Sequence, residues 1–228
     1  MKYEWLLFDL DNTLLDFDRA SIIAFQQTLL AFNLSSQPHY YKLYKKVNHK
    51  VWQAYEQKAI TAIELRSKRF QLFLEAIGKT GDAAQMNATY LSMIVKYSKV
   101  LEGVPNLLYN LSQQYKMAII TNGLKEVQRP RLALTQLDHY FSEIIVSDEI
   151  GFAKPQKEYF DYVFDKIKQP QKSEVLVIGD SLNSDIQGGN NYGVDTCWYN
   201  PSKQKNFTGP QPTYEVEKLS SLKSFNIV

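Results

Sequence analysis

Four short apolar runs in this 228-residue chain lead into side chains suited to handling phosphate. Trp5-Leu6-Leu7-Phe8 runs into Asp9-Leu10-Asp11-Asn12-Thr13, and Met117-Ala118-Ile119-Ile120 into Thr121-Asn122-Gly123. Val175-Leu176-Val177-Ile178 is followed by Gly179-Asp180 and, five residues on, Asp185. The run ending at Val146 is followed by Gly151-Phe152-Ala153-Lys154-Pro155. Gathered at one edge, these ends would supply four carboxylates, an ammonium and a hydroxyl.

Moving a phosphoryl group needs that inventory. A phosphomonoester dianion repels a carboxylate nucleophile, so a divalent cation has to neutralise charge between them. Mg²⁺ prefers oxygen ligands, carboxylates among them, and Asp9, Asp180 and Asp185 can provide these. Lys154 and Thr121 are placed to bind the remaining phosphoryl oxygens. A second carboxyl two residues beyond Asp9 could protonate the leaving oxygen and then deprotonate the water that completes hydrolysis, a task that fits Asp11. Taken singly each motif has a plainer explanation. Asp-Xaa-Asp is often a solvated turn, Lys154-Pro155 a helix start, and Asp180 and Asp185 helix N-terminal charges. Four in this order, each soon after an apolar run, are hard to ascribe to coincidence.

The elements that must position them follow from periodicity. Tyr3–Phe8, 116–120, Glu143–Val146, 174–178 and 196–199 read as strands, most followed by a helical pattern at the spacing of βαβ units. Their continuous apolar character suits strands buried on both faces of a parallel sheet. Ligands in such sheets bind beyond the carboxyl ends of the strands, where the polar residues lie. From Ile22 through Ile94 the spacing is helical, with breaks near Ser35-Ser36-Gln37-Pro38, Ile60-Thr61 and Gly78–Asp82. The expectation is a doubly wound α/β, Rossmann-like core (1–15 and 101–228) with a cap of four helices (16–100) inserted after the first strand. A loop at Gly209-Pro210-Gln211-Pro212 precedes a last short strand and helix.

Bulk properties exclude other classes. A net charge of +2 is too small to argue for a nucleic-acid polymer or an anionic membrane. The first apolar stretch is too short, and too closely followed by aspartates, for a signal peptide or a membrane span. Cys197 is the sole cysteine, which rules out an internal disulfide and fits a reducing, cytoplasmic setting; its strand-like neighbours suggest a small core residue. No Cys/His cluster suggests zinc. Tyr40, Tyr41, Tyr44, Trp52 and Tyr55 are expected mainly to pack the cap.

Asp9-Xaa-Asp11-Xaa-Thr13, Thr121, Lys154-Pro155 and Gly179-Asp180…Asp185 resemble the four ordered motifs of the haloacid dehalogenase superfamily, over nearly the whole chain and including an α-helical cap. Ile119-Ile120-Thr121-Asn122-Gly123, Ile150–Pro155, Asp185–Asn191, Cys197-Trp198-Tyr199-Asn200 and the segment Trp52…Tyr55…Ala59-Ile60-Thr61 resemble the bacterial pyrimidine 5′-nucleotidase branch. The resemblance implies that Asp9 is the nucleophile and Asp11 the acid/base, its carbonyl also a metal ligand. Thr121, Asn122 and Lys154 would bind phosphate, Asp180 the Mg²⁺ ion, and Asp185 that ion directly or through water. The implied substrates are dUMP, dTMP and noncanonical analogues. A phosphatase of phosphoglycolate or a sugar phosphate, or a phosphomutase, would share the core motifs. A haloalkanoic acid dehalogenase would have no use for the metal cluster or Asp11, and a receiver module would lack Asp11 and the cap. Oligomeric state is not legible.

Overall fold

The computed structural model describes residues 2–223. Six strands form one sheet: β1 Trp5–Phe8, β2 Lys116–Thr121, β3 Glu143–Val146, β4 Val175–Gly179, β5 Asp195–Tyr199 and β6 Tyr214–Val216. Their order is β3-β2-β1-β4-β5-β6, and every neighbouring pair is parallel. The chain winds outward from β1 through β2 to β3, then crosses back to β4 and winds the other way. The strand order therefore reverses between β1 and β4, where a crevice opens at the carboxyl ends in sheets of this kind.

The apolar runs are buried on both sides because alternate residues enter different cores. Leu6, Phe8, Met117, Ile119, Leu176 and Ile178 join one cluster with Val104, Leu107, Leu108 and Leu111 of α5 (Val104–Ser112). Trp5, Leu7, Ala118, Ile120, Val175 and Val177 join the other, with Phe160, Val163 and Phe164 of α8 (Lys157–Lys166). Full burial of each large apolar side chain contributes about 1.5–3 kcal/mol, so a one-residue slip in any central strand would be strongly disfavoured. Gly103, at φ 79°, turns the chain into α5, whose first turn carries Pro105. The remaining helices outside Phe17–Ser98 are α6 Lys125–Thr135, the short α7 Ser147–Ile150, and α9 Gln187–Tyr192. The expected last strand is β6; a 3₁₀ turn, Leu219–Lys223, follows it where a helix was expected.

The chain divides into two compact units. The first takes the chain up to Asp16, Lys99–Lys125 and the chain from Leu132 on; the second takes Phe17–Ser98 with Glu126–Arg131. The second unit holds α1 Phe17–Ala31, α2 Tyr40–Glu56, α3 Ala62–Ala76 and α4 Ala83–Lys96. The sequence sets their starts. Thr61 and Glu64 form a reciprocal capping box at α3, and the Asp82 carboxylate accepts from Gln85 N–H at 2.9 Å at α4. Inside, Phe25 stacks on Tyr44 with ring centroids 4.8 Å apart, and Tyr44 meets Phe70 at 5.0 Å. None of the described helices is long and apolar enough to cross a membrane.

Candidate active site

β1 delivers Asp9 to the point where the sheet reverses. Phe8 pairs with both Ile119 and Ile178, and Asp9 N–H donates to Ile178 carbonyl at 2.8 Å, so the carboxyl ends of β1 and β4 stay in step. Beyond Asp9 the chain turns tightly: Asn12 has a φ of 59°, and Leu14 and Leu15 N–H both donate to Leu10 carbonyl at 2.9 Å. This turn returns the chain to the sheet edge and leaves Asp11 half-buried there.

β4 ends in Gly179, and the reason for glycine is steric. A Cβ at this position would collide with the Asp185 carboxylate. Asp180 and Ser181 follow, and Leu182–Ile186 forms a π-helical turn that swings Asp185 back under the strand end. There Asp185 is fully buried and accepts from Ser181 N–H at 3.1 Å. Trp198, two strands' width from β1 on β5, donates its indole N–H to the Asp180 carbonyl at 2.9 Å and fixes that loop.

Lys154 closes the cluster. Its ammonium donates to Asp9 Oδ1 at 2.7 Å, Asp185 Oδ1 at 2.6 Å and the Ile120 carbonyl at 2.7 Å, which satisfies all three of its donors. Its position is set by Asn122, whose Oδ1 accepts from Lys154 N–H at 2.8 Å while its Nδ2 donates to the Lys154 carbonyl at 2.7 Å. Tyr159, buried beneath, donates to the Ile145 carbonyl at 2.9 Å and ties α8 to β3.

The electrostatics are those of a site with too much negative charge. Asp9, Asp180 and Asp185 each offer an oxygen within 4.8 Å of the others, against the single ammonium of Lys154. Burial pushes the Asp9 carboxyl up, Lys154 pulls it down and Asp185 and Asp11 push it up again, leaving it at about 7. Burial, with Asp9 and Asp185 beside it, holds Asp180 well above the ordinary carboxylate range. Burial lowers the Lys154 ammonium, but Asp185 and Asp9 outweigh this and keep it raised, hence charged. Three clustered carboxylate oxygens, two of them on groups whose carboxyls burial and their neighbours push up, fit a divalent cation with hard oxygen ligands.

Of the residues expected from sequence, the structure brings Asp9, Lys154, Asp180 and Asp185 together. Asp11 lies within electrostatic reach of Asp9 and Asp180. Thr121 is buried at the end of β2, next to the carbonyl that receives Lys154. Asn122 was expected to bind phosphate, yet both ends of its amide are engaged by the Lys154 backbone. Sequence reasoning did not single out Gly179, Trp198 or Tyr159 for these positioning roles. Gly179 had a signal, a glycine ending an apolar run just before two spaced aspartates; the other two had none. Cys197 is buried in the core, and burial pushes its thiol up to about 12, so it is no nucleophile.

Residues 6–199 match the model of the haloacid dehalogenase-like hydrolases. The chain is 38% identical over 221 residues to the HAD-hydrolase YfnB of Bacillus subtilis, covering 97% of this chain and 94% of that one. It is 37% identical to the pyrimidine 5′-nucleotidase PynA of Streptococcus pneumoniae (97% and 94% covered). To the pyrimidine 5′-nucleotidase YjjG of Escherichia coli it is 34% identical, with 97% of each chain covered. The crystal structure of B. subtilis YfnB bound to magnesium superposes with a TM-score of 0.94 at 36% identity over the full length of both chains.

Proposed function

The chain belongs to the haloacid dehalogenase-like hydrolases, and we propose that within them it is a Mg²⁺-dependent phosphatase of pyrimidine nucleoside 5′-monophosphates, working through an aspartyl phosphate on Asp9. The observation that carries the phosphatase is the Lys154 ammonium bonded at once to Asp9 and Asp185 beside a third carboxylate. The pyrimidine preference is supported by likeness over nearly the full chain to two enzymes named for that activity.

Asp9, Asp180 and Asp185 would hold Mg²⁺, with the Asp11 carbonyl as a further ligand. A bound Mg²⁺ supplies charge neutralisation for the incoming dianion. Lys154 keeps its donor to Asp9 and, by exchanging one of its other two acceptors for a phosphoryl oxygen, binds that oxygen together with Thr121 as charge builds on it. An Asp9 oxygen attacks phosphorus, the bond to the leaving oxygen breaks, and Asp11 gives that oxygen its proton. Asp11, now a carboxylate, takes a proton from water; the hydroxide oxygen attacks phosphorus and releases Asp9 and inorganic phosphate. Each residue ends as it began. Lys154 is fixed through Asn122, whose side chain therefore acts in positioning.

The test is a panel of dUMP, dTMP, dAMP, dGMP and glucose 6-phosphate, assayed for released phosphate with Mg²⁺ and with EDTA. The expected result is Mg²⁺-dependent turnover with kcat/KM for dUMP or dTMP at least about tenfold above the others, or roughly 1.4 kcal/mol in transition-state binding. A leading preference for the sugar phosphate would retain the phosphatase and remove the nucleotidase.

A further inference from the structure

Three consecutive residues where β2 ends are each gripped from the segment that carries Lys154. The Ile120 carbonyl accepts the Lys154 ammonium at 2.7 Å, and the Asn122 amide closes on the Lys154 backbone with both of its ends. Between them stands Thr121, whose backbone N–H donates to the phenol oxygen of Tyr159. Tyr159 lies in the first turn of α8, five residues beyond Lys154, and is fully buried. Its own hydroxyl donates to the Ile145 carbonyl at 2.9 Å. Ile120 pairs with Ile145 and Thr121 with Val146, so the phenol lies across the last pairs of β2 and β3.

The Ile120 carbonyl and the Thr121 N–H belong to one peptide group, which is planar and rigid. The ammonium holds it at the oxygen and the phenol at the nitrogen. The bonds therefore run in one chain, from the Lys154 ammonium through this peptide and the phenol to the Ile145 carbonyl. In a buried setting each bond of such a chain polarises the next. Burial pushes the Tyr159 phenol up against the pull of the Lys154 ammonium, so it stays protonated, giving to Ile145 while taking from Thr121. When Lys154 exchanges an acceptor for a phosphoryl oxygen, the phenol still holds the same peptide from its other end.

We infer that Tyr159 is a positioning residue for the bound phosphoryl group: through the 120–121 peptide it fixes the direction of the Thr121 hydroxyl. The inference rests on the phosphatase reading above, which gives that hydroxyl a phosphoryl oxygen, and deepens it by naming what holds the donor ready before substrate arrives. Tyr159→Phe removes one oxygen atom and leaves the ring in place. The Thr121 N–H and the Ile145 carbonyl then lose a buried partner, and the peptide loses its anchor at the nitrogen.

The experiment measures the dissociation constant of orthophosphate by calorimetry in Mg²⁺, and that of Mn²⁺ by electron paramagnetic resonance, for the wild type, Tyr159→Phe, Thr121→Val and the double variant. Folding is checked by circular dichroism. Tyr159→Phe should weaken orthophosphate at least fivefold and change Mn²⁺ affinity less than twofold, because its bonds go to backbone and not to the carboxylates. In the Thr121→Val background the same change should cost less than twofold, since the hydroxyl that Tyr159 directs is already gone. Should Tyr159→Phe fail to fold, Tyr159→4-aminophenylalanine decides. It keeps a donor for Ile145 but offers Thr121 N–H a poorer acceptor, and should weaken orthophosphate at least threefold. Orthophosphate affinity unchanged in the folded variant overturns the inference and leaves the phosphatase. So does a loss as large in the Thr121→Val background as in the wild type, or a parallel fall in Mn²⁺ affinity, which marks general damage to the cluster. A wild type that neither binds orthophosphate nor hydrolyses phosphomonoesters in Mg²⁺ overturns both.

Discussion

Replacing Lys154 by Met removes the one ammonium in the carboxylate cluster while keeping most of its length and apolar stem. The wild-type side chain is 1% exposed and shared between Asp9 at 2.7 Å and Asp185 at 2.6 Å. Losing one partner of a buried pair costs about 3–5 kcal/mol. The carboxylates can escape by taking up protons, which limits the loss. From an ordinary value of 3.8, protonating one aspartate costs about 5.7 kcal/mol at pH 8 and about 1.6 kcal/mol at pH 5, at about 1.36 kcal/mol per unit. With Asp9 at about 7 in the folded protein, it already carries its proton at pH 5, so much of the charge left without the ammonium is absent there. The sign follows: a carboxyl raised in the folded state makes that state bind more protons than the unfolded chain, so stability falls as pH rises from about 4 to 7. Lys154→Met should steepen that fall. In EDTA, with Trp52→Phe as background so that urea unfolding is read from Trp5 and Trp198 of the first unit, the expected loss is about 3–5 kcal/mol at pH 8 and under about 2 kcal/mol at pH 5. A loss equal at both pH values, or below about 1 kcal/mol at pH 8, would refute this picture of the cluster.

Three further outcomes are expected. Asp9→Asn keeps the shape but removes the attacking charge, so phosphate release should fall by several orders of magnitude; retention of a tenth of the activity would exclude Asp9 as nucleophile. Asp11→Asn should lose less on p-nitrophenyl phosphate than on dUMP while phosphorylation limits the rate, because a good leaving group needs no proton; equal losses would count against the acid. Chelation should abolish turnover, and because protons compete with the cation at Asp9, Mn²⁺ affinity followed by electron paramagnetic resonance should rise roughly tenfold from pH 6 to pH 8, whereas a pH-independent affinity would contradict a raised Asp9.

The sheet was legible because each strand is buried on both faces and so reads as an unbroken apolar run, Met117–Ile120 and Val175–Ile178 most plainly. The four helices of the second unit were legible from their spacing and from turn clusters, two of which carry the caps Thr61 and Asp82. The convergence of Asp9, Lys154, Asp180 and Asp185 was legible because parallel strands bring their carboxyl ends to one edge. Other features come from close contacts between residues distant in sequence, and no periodicity encodes those. The π-helical turn at Leu182–Ile186 returns Asp185 to the strand end only because Gly179 leaves room for it. That the Asn122 side chain also positions Lys154 shows only in its two bonds to the Lys154 backbone, 32 residues on.

The central claim is a covalent phosphate on Asp9, and trapping it is the most direct test. Enzyme turning over ³²P-labelled dUMP is quenched in acid, treated with borohydride to reduce the acyl phosphate to homoserine, and digested for mass spectrometry. Label should appear on the quenched protein during turnover and be absent from Asp9→Asn. The conversion to homoserine should fall at position 9. An active wild-type enzyme that carries no label, or that is reduced at another residue, would contradict the mechanism.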